Sequence, residues 1–207
     1  MKEFEEDTTG EVSIRERHRQ ITRLAILDAA HAVFHEHGLR AATIDQITRA
    51  ARINRATFYL HFKDKLEVAA NLARRLVAVH KEHYGELAAL RSPTRASVRK
   101  WVERYLAFVE EERLLTAMLT EATSAEPAFA QEYLDYLGRI VDTRLETLLA
   151  RATGKPREVL RSKLILLQMM MSHYGYYTVG QALTFPGKFP IDALADIWWN
   201  EVFSPQA

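Results

Sequence analysis

The sequence predicts an all-α protein: an amino-terminal three-helix domain built on a helix-turn-helix, followed by a helical bundle. Three observations carry that reading. Apolar residues recur at three- and four-residue spacing along most of the chain, which is the period of an amphipathic helix. Residues suited to capping helices (Thr43, Asn54, Asp64 and Ser92) stand just ahead of several of these runs. No segment reads as a strand, and there is no internal repeat or glycine-rich phosphate loop.

In chain order, residues 1–11 are polar and acidic and are expected to be disordered. The expected boundaries are a tail over 1–14, the helix-turn-helix domain over 15–65 and the bundle over 66–207. Arg15, Arg17, His18 and Arg19 form a basic lead-in. Residues 21–37 read as a helix with Ile21, Leu24, Leu27, Val33 and Phe34 on its apolar face, ended by Gly38. Residues 43–65, TIDQITRAARINRATFYLHFKDK, read as two short helices and a turn, with the start of a third. Thr43 and Gln46 have capping-box spacing, Arg52 and Ile53 form the turn, Asn54 caps the second helix, and Phe58 faces inward.

A long helix is expected over 65–87, carrying His80, His83 and Tyr84. The two histidines are spaced so that they can share a metal, but no third ligand is identifiable and no metal or cofactor is expected. Ser92 and Pro93 mark the start of a helix running to about residue 112, with Trp101, Tyr105 and Phe108 on one face. A shorter helix over 113–123 carries Met118. Residues 127–152 read as one amphipathic helix with Tyr133 and Tyr136 in its stripe. Residues 156–183 read as the longest helix, apolar nearly all round between 164 and 177, which calls for cover on several sides. Residues 191–203 form a last helix, and 204–207 a frayed tail.

Composition narrows the function. The 207 residues include no cysteine, which excludes a disulfide framework and thiolate chemistry and fits a cytoplasmic chain. No secretory signal is recognised at residues 1–11, and the most apolar stretch is interrupted by Gln168, Ser172 and His173, so no membrane association is expected. The overall charge of +1 hides an asymmetry: residues 1–11 carry −4, residues 12–65 carry +5 and the remainder is neutral. A basic excess on the helix-turn-helix segment is the electrostatic footprint of double-stranded DNA binding, although a solvated basic face has the same composition. In a helix-turn-helix the amino-terminal end of the second helix meets base edges in the major groove. Here that end presents Asn54, Arg55, Thr57 and Tyr59, with Arg55 suited to guanine. Two other readings, an all-helical enzyme and a partner-docking helical module, lack support: the chain has no nucleophile elbow or cofactor fingerprint, and its basic third has no role in a docking module.

Residues 43–65 resemble the DNA-binding signature of the TetR family of transcriptional regulators, above all in Thr57-Phe58-Tyr59-x-His61-Phe62-x-x-Lys65. The departures are Thr48 for alanine, Ala56 for glycine and Arg52 for the turn glycine. Arg52 is therefore expected at positive φ, with its side chain toward the DNA backbone. The resemblance implies an α-helical homodimer on a palindromic operator, most often a repressor, released by a small molecule. It implies phosphate contacts from Thr43, Thr57, Tyr59 and Lys65, with His61 in the same motif. It also implies an effector cavity in the bundle for an apolar or aromatic molecule. Candidates for that cavity are His83, Tyr84, Trp101, Tyr105, Phe108, Met118, Tyr133, Tyr136, Met170, Met171, His173, Tyr174 and Tyr177. A two-fold interface on the last two helices is expected from Leu160, Leu164, Leu167, Gly175, Gly180, Ile191, Leu194, Trp198 and Val202.

Overall fold

The computed structural model describes residues 14–204, without the side chains of positions 75 and 77–79; the expected tails at 1–13 and 205–207 lie outside the described residues. Every regular element among the described residues is helical. The chain divides into two compact units, Met1–Val68 and Ala69–Ala207.

In the amino-terminal unit, α1 spans Ile14–Ala41, so it begins seven residues before the expected start at Ile21, and the basic lead-in lies on its exposed first turns. Ile21 and Leu24 are more than half exposed; the buried face begins at Ile26 and continues through Leu27, Ala30, Val33 and Phe34. Gly38 breaks the helix with φ 74 and ψ 154, a backbone conformation that glycine reaches without a Cβ clash.

Helix α2 (Ile44–Ala50) is opened by the Thr43–Gln46 capping box, and α3 (Arg55–Tyr59) by Asn54, whose side-chain oxygen accepts from the Thr57 amide at 2.7 Å. Ile47 and Phe58 are fully buried and Phe62 almost so. Helix α4 (Lys65–Ala88) starts with a reciprocal cap: Asp64 accepts from the Glu67 amide, and the Glu67 carboxylate accepts from the Lys63 amide.

In the carboxy-terminal unit, α5 (Arg95–Glu111) is capped by Thr94 with Ser97, two residues later than the expected Ser92 cap, because only Thr94 has a hydroxyl partner at the third helical position. Helix α6 spans Arg113–Ala125. The helix expected to run to residue 152 stops at Arg144: α7 (Pro127–Arg144) ends where the Leu145 amide reaches back to Ile140, and the short α8 (Glu146–Leu149) follows. Helix α9 (Gly154–Gly175) runs into a π-helical turn, Tyr176–Gly180. Helix α10 (Pro190–Trp198) ends in a second one, Trp199–Phe203.

The core of this unit is aromatic. Trp101 and Trp198 are fully buried with ring centroids 4.9 Å apart, and Tyr84 packs on both. Burial of such rings contributes most of the cohesion here. The exposed ion pairs Arg95–Asp196 and Arg99–Asp192, which tie α5 to α10, add at most about 1 kcal/mol each.

Candidate nucleic-acid interface and bundle cavity

The turn between α2 and α3 is closed by Ala51, Arg52 and Ile53. Arg52 has φ 55, the left-handed conformation expected where a glycine is usual, and its side chain is exposed. On α3, Asn54, Arg55 and Tyr59 are exposed and Thr57 is half-buried. One guanidinium nitrogen of Arg55 donates to Asp45 at 3.1 Å and the other to the Tyr59 hydroxyl at 3.2 Å. These contacts, and the negative charge of Asp45, raise the Arg55 pKa further above its already high value. A guanidinium has five donors, so the group held there keeps others for a base edge.

Two residues expected at phosphates are otherwise engaged. The Thr43 hydroxyl both donates to Gln46 Oε1 and accepts from the Gln46 amide, so its work is capping α2. The Lys65 ammonium donates to the carbonyls of Leu39, Arg40 and Ala42 at 2.8–2.9 Å. An ammonium has three donors, so Lys65 closes the carboxy-terminal end of α1, where a cation also suits the helix dipole. The sequence motif marks the residue but not this use. The His61 carbonyl accepts from Arg23, whose guanidinium stacks 4.2 Å over Phe62. Burial, with Arg19 and Arg23 nearby, pushes the His61 imidazole toward its neutral form. Arg15, His18, Arg19, Thr22, Leu60 and His61, with Glu16, line an open cleft of about 550 Å³ beside α3.

The carboxy-terminal unit has an internal cavity of about 40 Å³ between α4, α5, α6, α7 and α9. Of the residues expected at an effector, Tyr105, Phe108, Tyr133 and His173 line it. Tyr84, Trp101 and Met118 are instead fully buried core, and the Trp101 indole donates to the His83 carbonyl. His83 is half-buried and stacks on Phe108 at 4.5 Å, and Met171 is buried outside the cavity wall, as is Tyr136. Residues not singled out beforehand complete the wall, chiefly Leu76, Val109, Thr116, Leu119 and Ser172. An amphipathic stripe names the inward face of a helix but not which part of it meets empty space.

The cavity has a polar side. Tyr133 Oη lies 3.0 Å from Ser172 Oγ, Ser172 Oγ 3.4 Å from Tyr105 Oη, and Tyr105 Oη 2.9 Å from His80 Nε2. Burial pushes the His80 pKa down to about 3, with His83 adding to the shift, and raises those of Tyr105 and Tyr133. All of these groups are therefore neutral at physiological pH. His80 is thus a partner of Tyr105, and among the described residues no cluster of three metal-ligating side chains is present.

Met170, Tyr174 and Tyr177 lie elsewhere, lining with His173, Phe185, Leu194 and Ile197 an open apolar groove of about 390 Å³ on α9 and α10. Several residues expected in a two-fold interface belong to the chain's own core: Leu164, Leu167, Leu194 and Trp198 are buried, and Gly175 packs on Val109. Leu160, Gly180, Ile191 and Val202 are only half-covered. The exposed apolar face carries instead Leu166, Tyr177 and Ile197, at 63%, 51% and 41% exposure.

A basic helix-turn-helix ahead of an all-helical unit with an internal cavity is the architecture of the helix-turn-helix class of transcriptional regulators. The profile described as bacterial regulatory proteins, tetR family, matches residues 26–72. The HTH-type transcriptional regulator TtgW of Pseudomonas putida is 34% identical over 117 residues, covering 56% of this chain and 75% of TtgW. SrpR of Pseudomonas putida, also an HTH-type transcriptional regulator, is 34% identical over 117 residues, and there the match spans only 47% of the relative's length. A TetR-family regulator structure from Syntrophomonas wolfei superposes with a TM-score of 0.58 at 14% identity, covering 88% of this chain and 95% of that one. The chain belongs to the TetR family of bacterial regulatory proteins.

Proposed function

We propose that the chain is a DNA-binding repressor that sits as a homodimer on a palindromic operator and leaves it when a small apolar or aromatic molecule enters the bundle. The observation that carries the DNA half is α3: its exposed amino-terminal end presents Asn54 and an Arg55 already oriented by Asp45 and Tyr59. Arg55 reads a guanine edge bidentately. Arg52 and the basic first turns of α1 supply charge for the phosphates. The homodimer is supported by the exposed Leu166, Tyr177 and Ile197 around the α9–α10 groove, an apolar face a second copy would cover. No helix among the described residues is long and apolar enough to cross a membrane.

The switch follows from size. A cavity of about 40 Å³ holds a few waters and no aromatic molecule. An effector therefore binds only a conformation in which the surrounding helices have moved apart, and this difference in affinity is what allows it to shift an equilibrium. Helix α4 contributes Leu76 and His80 to the cavity and begins at Lys65, so it is the natural lever. A coupling of about 1–3 kcal/mol lowers operator affinity roughly 5–150-fold. The test is fluorescence anisotropy of the purified protein on DNA from upstream of its own gene, with and without a panel of small aromatics. A sequence-independent affinity would defeat the regulator reading; an operator affinity indifferent to the whole panel would defeat the switch.

A further inference from the structure

We propose that the cavity selects an effector that is neutral and carries a hydroxyl group on an apolar body, as a phenol does, and discriminates against carboxylates and ammonium ions. This deepens the effector reading above and rests on it.

The wall contains no aspartate, glutamate, lysine or arginine: its polar members are His80, Tyr105, Thr116, Thr120, Thr123, Tyr133, Ser172 and His173. A charged ligand would enter without a counter-charge and lose its hydration, which is strongly unfavourable. The groups that meet it do not compensate, since burial holds His80, Tyr105 and Tyr133 neutral.

The hydrogen-bond inventory then selects among neutral molecules. Thr120 and Thr123 on α6 donate their hydroxyls to carbonyls of their own helix, Thr120 to Thr116 and Thr123 to Leu119 and Thr120. Their hydroxyl protons are thereby withdrawn from the cavity. The Thr116 hydroxyl differs: it is buried and has no hydrogen-bond partner among the described residues. Facing α6 across the cavity is the chain Tyr133–Ser172–Tyr105–His80. It can run in either direction. If the Tyr105 proton goes to His80 Nε2, then Ser172 donates to Tyr105 and Tyr133 to Ser172, which leaves Tyr133 able only to accept. If the imidazole donates instead, each hydroxyl in turn passes its proton along and Tyr133 is left with a proton to give. Because the chain reverses, its open end serves a donor or an acceptor equally. A ligand hydroxyl is both, so it can bond this end and still meet Thr116. A hydrocarbon leaves Thr116 unpaired and buried, the arrangement that polar sites reject most strongly. The aromatic and aliphatic part of the wall, Leu76, Phe108, Val109 and Leu119, accepts the apolar body.

The experiment is calorimetric titration of the full-length protein with three probes of one shape: 4-ethylphenol, ethylbenzene and 4-ethylbenzoate. The phenol is expected to bind at least about tenfold more tightly than ethylbenzene, and the benzoate at least about tenfold more weakly than the phenol. In Ser172→Ala, checked for folding by its melting curve, the phenol-to-ethylbenzene ratio is expected to fall below about threefold; Tyr133→Phe provides a second variant with the same expectation. Ethylbenzene binding as well as or better than the phenol, or the benzoate binding best, overturns the hydroxyl preference while leaving an effector cavity. No heat from any probe up to its solubility overturns the effector reading itself, and the preference with it.

Discussion

Asp45 of α2 holds Arg55 of α3 through a contact of 3.1 Å across the turn that joins the two helices. Both side chains are more than half exposed, so the pair itself adds less than about 1 kcal/mol of stability. Its effect is on direction. With Tyr59 on the second nitrogen, the guanidinium is fixed before it meets DNA, and less conformational entropy is lost on binding.

Asp45→Asn is therefore expected to leave the melting temperature nearly unchanged while narrowing the gap between operator and random-sequence affinity. Removing the carboxylate raises binding to all DNA and frees the reader. Arg55→Ala should lower operator affinity by about 1–3 kcal/mol and relax preference at one position per half-site. Competition binding against single-base operator variants reads both; an unaltered preference profile in Arg55→Ala would remove this residue from base readout.

Lys65→Gln should destabilise the protein by about 1–3 kcal/mol, since it leaves carbonyls of Leu39, Arg40 and Ala42 without their cation. Its effect on DNA affinity should be independent of salt. A lost phosphate contact would instead reduce the slope of log affinity against log salt by about one. Measuring that slope alongside a urea melt separates the two roles.

How much of this was legible in the sequence differs between the two ends of the chain. The capping box at Thr43, the cap at Asn54 and the positive φ at Arg52 all follow from local chemistry, in which each residue interacts with neighbours three or four positions away. The faces of α9 did not. A helix apolar all round has no polar side to mark its outside, so Leu164, Leu167 and Gly175 looked as available to a second copy as Leu166. Likewise Trp101 and Tyr105 share a helix face, but Trp198 of α10 fills the space beside the first and nothing fills it beside the second. Those distinctions lie in contacts between residues up to a hundred positions apart.

The buried His80 predicts a pH dependence. In the unfolded chain its pKa is near 6.5, and in the folded protein about 3, so between these values the unfolded state binds the extra proton. Stability contributed by this group is complete above pH 6.5 and is lost as pH falls toward 3. The loss should reach about 2 kcal/mol by pH 5. Urea midpoints at pH 7 and pH 5 measure it, and His80→Phe should flatten the difference. Equal wild-type midpoints would argue against a neutral imidazole sealed beside Tyr84 and Tyr105.

Gly175→Ala should act on the fold of one chain. A Cβ there would sit 3.1 and 3.3 Å from the two γ-carbons of Val109, a side chain stiff about χ1. The expected loss is about 1–3 kcal/mol of stability, with no change in the self-association constant at temperatures where the variant is folded. Sedimentation together with thermal melts distinguishes this from an interface role.

The contact between Lys65 and the end of α1 also bears on the order in which the molecule is made. The carbonyls of Leu39, Arg40 and Ala42 wait for a residue more than twenty positions downstream. Once that residue has emerged, however, everything the helix-turn-helix needs is present. Of the 207 residues, 142 are still to be translated, which at about 5–20 residues per second takes roughly 7–28 s. For that interval each ribosome carries a finished amino-terminal unit on a nascent chain whose α9 and α10 do not yet exist.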